Sequence, residues 1–143
     1  MKTTDPPILV EQTFNTSTEN VWKAITTVTQ MRQWYFNTIK SFEPRVGFET
    51  HFIVAVNERV FLHDWKVTEV IPMKKISYEW RFEGYHGCAL SNFELFDFGT
   101  QTRMKLRYSV LENFQSHIAE FERKSAEEGW RFLIQKSLKK YLN

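Results

Sequence analysis

Large apolar and polar residues alternate through the middle of the chain, from about residue 39 to residue 111. In the stretch ISYEWRFEGY (76–85), each even position from 76 to 82 carries a large apolar side chain and each odd position a polar one. A period of two is typical of strands with one buried face, and short runs are separated by the turn signals EPRVG, VNER, IPMK, GYHG and FGTQ. Because strands joined by short turns are antiparallel neighbours, the pattern predicts an antiparallel meander.

Other patterns flank this meander. The segment ILVEQTFN (8–15) follows two prolines and is rich in β-forming residues, which predicts a first strand. NTSTENVWKAITT predicts a helix capped by Ser17 or Thr18, and TQMRQWYF predicts a second short helix. After LENFQSH the apolar period becomes helical, over about residues 122–141. One side of that predicted helix carries Ala126, Trp130, Leu133, Ile134, Leu138 and Tyr141.

Charged residues suggest a register for the strands. With tight turns in VNER and IPMK, Asp64 lies opposite Arg81, and the GYHG turn then sets Glu79 beside Asn92. Opposite charges across a strand pair stabilise it by ~0.2–1 kcal/mol, so this face is predicted to be solvated. The other face then carries Phe48, Thr50, Phe52, Val54, Phe61, His63, Trp65, Val67, Ile76, Tyr78, Trp80, Phe82, Ala89, Ser91, Phe93, Leu95, Met104, Leu106, Tyr108 and Val110.

An aromatic sheet face of this kind must be covered. The C-terminal helix is the only predicted element long and apolar enough to cover it, through residues such as Trp130 and Leu138. Arg81 and the aromatic side chains of residues 76–85 point to opposite sides of the sheet. This placement argues against an exposed platform on which nucleic-acid bases would stack.

The composition narrows the class of protein. Hydrophobic residues make up 42% and charged residues 25%, as in ordinary soluble domains, and residues 1–143 are predicted to form one domain. Aromatic residues make up 16%, so the interior must be largely aromatic or must enclose something. The net charge of +2 provides no strong basic field for nucleic acid.

The sequence does not support a protein held together by disulfides or zinc, or one that spans a membrane. Cys88 is the single cysteine, which excludes an internal disulfide and a Cys-rich zinc site. No apolar run approaches the ~18 residues that a membrane span needs, and a cytoplasmic location is the default expectation.

Several segments in this order resemble the activator of heat-shock-protein-90 ATPase homologue-like (AHSA-like) family of the START-like, or SRPBCC, superfamily. They include VEQTFNTSTENVWKAIT, FEPRVGFETHF, WKVTEVIPMKKISYEWRFEGY, SNFELFDFGTQTRMKLRYS and EEGWRFLIQKSLKKYL, and the resemblance covers about residues 8–142. It implies an α+β helix-grip fold, in which a curved antiparallel sheet of about six to seven strands wraps on a long C-terminal helix. Two short helices follow the first strand, and a cavity lies between sheet and helix. Relatives bind lipids or hydrophobic small molecules, act as cyclases or hydrolases, or stimulate a chaperone ATPase.

His63 is the most prominent candidate for chemistry. The predicted register sets it on the aromatic face between Phe61 and Trp65, where an imidazole could hold a ligand or act as an acid or base. A histidine hydrogen-bonded within the core is the alternative. The same face carries four hydroxyl side chains, which either line a pocket or belong to ordinary packing: Thr50, Tyr78, Ser91 and Tyr108.

Other side chains are candidates for the wall or rim of the cavity. Wall or core positions are expected for Trp65, Trp80, Trp130 and Ile134. The GYHG turn could form a mobile rim, with Tyr85 and His86 as gating side chains. His86 and Cys88 could touch one metal ion, but a site needs three or four ligands and none is evident. We therefore predict no metal site, no cofactor and no catalytic residue set.

Three functions follow as hypotheses. The leading one is binding of a small hydrophobic or aromatic ligand between sheet and helix. The second is interaction with a chaperone protein, stimulating a heat-shock ATPase. The third is a cyclase- or hydrolase-type enzyme that uses His63.

Overall fold

The computed structural model describes residues 1–143, which build one antiparallel sheet with a long helix across its inner face. The elements are β1 (Ile8–Phe14), α1 (Thr18–Thr26), α2 (Val28–Trp34), β2 (Glu49–Val56), β3 (Arg59–Ile71), β4 (Lys75–Phe82), β5 (Cys88–Asp97), β6 (Thr102–Glu112), a 3₁₀ turn (Ala119–Phe121) and the C-terminal helix. This last helix consists of α3 (Arg123–Arg131), a π-helical segment (Phe132–Leu138) and α4 (Lys139–Leu142). The predicted α+β class and the order of its elements are confirmed.

The strands lie in the order β1-β6-β5-β4-β3-β2, and all neighbours are antiparallel. The first strand therefore pairs with the last, and β2 forms the opposite edge. Asp64 lies opposite Arg81, as the charge pattern predicts. The alternation of buried and exposed residues along β3 to β6 confirms one aromatic and one charged face.

One predicted pairing is wrong. Glu79 lies opposite Leu90 rather than beside Asn92, and Ser77 is the partner of Asn92. The Ser77 hydroxyl donates a 2.6 Å hydrogen bond to the Asn92 side-chain oxygen. The link between β4 and β5 is longer than a tight turn, which moves the register by two residues. Since side chains alternate with a period of two, the shift keeps each residue on its predicted face.

The first helix begins where the sequence predicts. The Ser17 hydroxyl accepts a hydrogen bond from the Asn20 N–H at 3.2 Å and caps the helix. Thr18, the other candidate cap, is buried, and its hydroxyl lies 3.1 Å from that of Thr102 on β6. This contact ties the start of α1 to the sheet.

Two segments cover the inner face of the sheet, where the sequence predicts only the C-terminal helix. Trp130 of that helix packs against Trp80 and Tyr108, with ring centroids 5.4 and 5.5 Å apart. The chain leaving α2 covers the β2–β4 side, with Tyr35 5.0 Å from Trp65 and Phe36 5.7 Å from Phe52. The two segments share the aromatic face, and a gap remains between them and the strands.

The C-terminal helix widens into π-helical winding after Arg131. Trp130, Ile134 and Leu138, spaced by four residues, are all buried against the sheet. π-helical turns are frequent at functional sites. Neither this helix nor any other in the chain is long and apolar enough to span a membrane.

Gly87, just before β5, cannot be replaced without strain. Its φ is +123°, and a Cβ there would lie 2.7 Å from the Phe114 Cα. Gly84, at φ +84° in the same loop, has open space around its Cβ position. We expect Gly87→Ala to lower the free energy of unfolding by about 2 kcal/mol more than Gly84→Ala, which bears the φ penalty alone. Urea denaturation of both variants measures this difference, and equal losses would contradict it.

Candidate functional site: a pocket between sheet and helix

A pocket of about 320 Å³ lies between the inner face of the sheet, the chain after α2 and the C-terminal helix. Hydrophobic side chains make up most of its wall, and we call it the grip pocket. Its lining consists of Met1, Tyr35, Phe36, Val54, Val56, Phe61, His63, Trp80, Phe82, Tyr108, Glu120, Phe121, Ser125, Ala126, Gly129, Trp130, Phe132 and Leu133. Its volume is at the lower end of the range for small-molecule sites.

The mouth of the grip pocket lies between the β2–β3 hairpin and the start of the C-terminal helix. Ser125, Gly129 and Phe132 line the pocket and are exposed, so this side opens to solvent. Arg59, from the hairpin, makes a 3.0 Å ion pair with Glu120 of the 3₁₀ turn, whose side chain is 13% exposed. This ion pair connects the two sides of the mouth.

His63 supplies an uncharged hydrogen-bond acceptor to the wall. Its Nδ1 lies 3.2 Å from the Phe61 carbonyl oxygen, which can only accept, so Nδ1 carries the proton and Nε2 the lone pair. The ring packs between Phe52 at 5.1 Å and Phe82 at 4.7 Å. Burial lowers the pKa of His63 from 6.5 to about 4, although the bond to Phe61 acts in the other direction. The imidazole is therefore neutral at pH 7.

Tyr108 supplies an uncharged hydroxyl on the β6 side of the pocket. Its ring contacts those of Trp80 at 5.9 Å and Trp130 at 5.5 Å. Burial raises the pKa of the Tyr108 phenol well above its usual value of 10, so it stays protonated. Neither this hydroxyl nor His63 Nε2 has a hydrogen-bond partner within the protein, and the buried Nε1 of Trp80, another lining residue, also lacks one.

Four of the predicted site residues line the grip pocket: His63, Trp80, Tyr108 and Trp130. The others are placed elsewhere. Tyr78 lies in the core, with its hydroxyl 2.7 Å from that of Tyr35. The remaining buried candidates also lie outside the lining: Thr50, Trp65, Ser91 and Ile134.

The GYHG turn lies beside the pocket without lining it. The half-buried Tyr85 ring packs 5.1 Å from Phe121 and 5.7 Å from Phe61, two lining residues. His86 is exposed, and its backbone N–H donates to the Gln115 side chain. The chain contains no group of three or more His, Cys, Asp or Glu side chains that could hold one metal ion.

Sequence reasoning missed several lining residues. Tyr35 and Phe36 follow the helical pattern of α2, which gives no sign that they reach across to the sheet. Phe121 belongs to a segment without periodicity, between the last strand and the last helix. Gly129 offered the one available signal, since a glycine inside a helix is costly unless its missing side chain serves packing or function.

A second depression lies around the turn that connects β3 to β4, and we call it the turn groove. It is formed by Thr18, Ile71, Met73, Lys74, Lys75, Glu94, Leu95, Phe96, Asp97 and Phe98. Phe98 is 64% exposed and Phe96 is 40% exposed, so this groove is a surface feature. The grip pocket is the better candidate for a small molecule because buried aromatic rings surround it.

The sheet order, the long helix across its inner face and the pocket between them define a helix-grip domain of the START-like class. The chain belongs to the family described as "Activator of Hsp90 ATPase homolog 1-like protein", whose profile matches residues 15–143. The family resemblance of the sequence is thus confirmed.

Solved structures share the fold. Protein Mll3558 from Rhizobium loti is 22% identical, with a TM-score of 0.80 over 95% of this chain and 96% of that one. The Aha1 dimer from Colwellia psychrerythraea is 23% identical, with a TM-score of 0.70 over 95% of each chain. No curated protein matched the chain. At these identities the likeness shows the fold alone.

Proposed function

We propose that the protein binds a small, uncharged, largely aromatic molecule in the grip pocket. The observation that carries this proposal is a space of about 320 Å³ walled by buried aromatic rings, whose lining residues carry three polar atoms without protein partners: His63 Nε2, the Tyr108 hydroxyl and Trp80 Nε1. Aromatic walls and a few placed polar groups are typical of ligand sites. A ligand burying about 200 Å² of apolar surface would gain about 5 kcal/mol from that burial.

The chemistry of the pocket favours binding over catalysis. A general base works best with a pKa near the operating pH, whereas the pKa of His63 is about 4. Cys88, the most nucleophilic residue type, does not line the pocket, and burial raises its pKa to about 11. The one lining carboxylate, that of Glu120, is paired with Arg59.

Thermal unfolding with 2-naphthol, a two-ring probe that is uncharged at neutral pH, tests the proposed binding. A ligand that binds only the folded state raises the melting temperature as its concentration rises. We expect such a rise in the wild type and in Phe98→Ser, which alters only the exposed turn groove. No rise up to the solubility limit of the probe would contradict the proposal. A rise that Phe98→Ser abolishes would place the binding in the turn groove.

A second candidate function is interaction with a chaperone ATPase. It is favoured by the exposed apolar side chains of the turn groove, Ile71, Met73, Phe96 and Phe98, and by the description of the family. In this case the chain should raise the ATPase rate of an Hsp90 chaperone, and Phe98→Ser should reduce that effect. An unchanged ATPase rate in the presence of the wild-type chain would exclude this function.

A further inference from the structure

His63 and Tyr108, which both line the grip pocket, carry polar atoms without a hydrogen-bond partner in the protein. His63 Nε2 can only accept a hydrogen bond, because Nδ1 holds the ring proton against the Phe61 carbonyl. The Tyr108 hydroxyl, on the far side of Trp80, can donate one. The Trp80 ring contacts both residues, with centroids 5.4 Å from His63 and 5.9 Å from Tyr108. A flat ligand lying against Trp80 therefore meets an acceptor on the His63 side.

Two charged groups border the pocket, and each makes a contact within the protein. The Met1 ammonium donates to the Phe121 carbonyl oxygen at 2.9 Å, and Glu120 accepts from Arg59 at 3.0 Å. A ligand carboxylate has no proton to donate to His63 Nε2, and moving it from water to the aromatic rings around that atom is costly. An uncharged hydroxyl faces no such cost.

Because His63 is buried, its Nε2 acceptor favours ligands that donate a hydrogen bond over ligands that cannot. His63 is 4% exposed, and its ring is enclosed by Phe36, Phe52, Phe82 and Trp80. A ligand that covers Nε2 without donating to it removes the acceptor from water and leaves it unpaired. The methyl ether of a phenol would do this, and the phenol itself would not.

We propose that the grip pocket selects uncharged aromatic molecules with a hydroxyl group, which donates its hydrogen bond to His63 Nε2. The proposal rests on the proposed binding function and adds the chemical class of the ligand. It makes His63 the residue that determines specificity for phenols over ethers and carboxylates.

Three naphthalenes of similar size test this selectivity by isothermal titration calorimetry at pH 7: 2-naphthol, 2-methoxynaphthalene and 2-naphthoate. We expect 2-naphthol to bind roughly 5- to 10-fold more tightly than the ether, since one neutral hydrogen bond separates them. The carboxylate should bind most weakly. Equal affinities for 2-naphthol and the ether would overturn the inference and leave the proposed function intact. If none of the three binds up to its solubility limit, the proposed function itself fails.

Two variants then assign the hydrogen bond. In His63→Phe, whose ring fits the surrounding aromatic stack, the preference for 2-naphthol over the ether should disappear. In Tyr108→Phe it should remain. Loss of the preference in Tyr108→Phe but not in His63→Phe would overturn the assignment to His63. The affinity ratio in the wild type tests the selectivity even where a variant does not fold.

Discussion

Lowering the pH from 6.5 to 4 should reduce the free energy of unfolding by about 3 kcal/mol through His63 alone. Burial lowers the pKa of His63 from 6.5 to about 4, so the unfolded chain takes up this proton more readily than the folded one. The contribution of His63 to the free energy of unfolding is therefore complete above pH 6.5. It declines as the pH falls towards 4 and is lost below that.

Urea denaturation between pH 4 and 7 measures this effect as a difference between variants, because carboxylates also titrate in this range. His63→Phe should show a shallower pH dependence than the wild type. His51→Gln is the matched control, since His51 lies on the outer face, exposed and 3.5 Å from Asp64. In His51→Gln, the decrease in the free energy of unfolding that His63 causes at low pH should persist. Identical pH profiles for the wild type and His63→Phe would show that the imidazole is not buried as described.

Filling the mouth of the grip pocket from the helix should weaken binding roughly 30-fold while the fold gains stability. Gly129 lies on the pocket-facing side of α3, between Ala126 and Leu133, and a Cβ there meets no atom within 4 Å. In Gly129→Leu the new side chain would occupy space that a ligand needs. A loss of about 2 kcal/mol of ligand contact weakens binding roughly 30-fold. Helix propensity alone adds up to about 1 kcal/mol to the free energy of unfolding.

Glu128→Leu is the matched control for this variant. It introduces the same side chain at the neighbouring exposed position, which does not line the pocket. Calorimetric titration with 2-naphthol should give wild-type affinity for Glu128→Leu and greatly weakened binding for Gly129→Leu. Wild-type affinity in Gly129→Leu would show that ligands do not pass or occupy this part of the pocket.

The sheet follows from the sequence because its determinants are local. Alternation assigns each strand residue to a face, and the predicted Asp64–Arg81 pairing is found although the register of β3 shifts by one residue between Val67 and Glu69. The pairing of Asn92 with Ser77 could not be predicted in this way. It depends on the length of the loop around Gly87, which no pattern of charges encodes.

The pocket follows from the sequence only in part. His63, Trp80, Tyr108 and Trp130 are on the lining because each lies on the predicted inner face of its own element. Whether a residue on the inner face lines the pocket or lies in the core depends on which residues from outside the sheet cover it. Above Trp65 and Tyr78 lies Tyr35, from outside the sheet, with its hydroxyl bonded to that of Tyr78. No local pattern in TQMRQWYF reveals that contact.

The most direct test of the account is to locate a bound ligand. Isotope-filtered nuclear Overhauser spectra of the labelled protein with unlabelled 2-naphthol report which side chains lie within about 5 Å of the probe. Binding in the grip pocket predicts contacts to the ring protons of Trp80, Trp130 and Phe121. Contacts to Phe96 and Phe98 of the turn groove in their place would contradict the account.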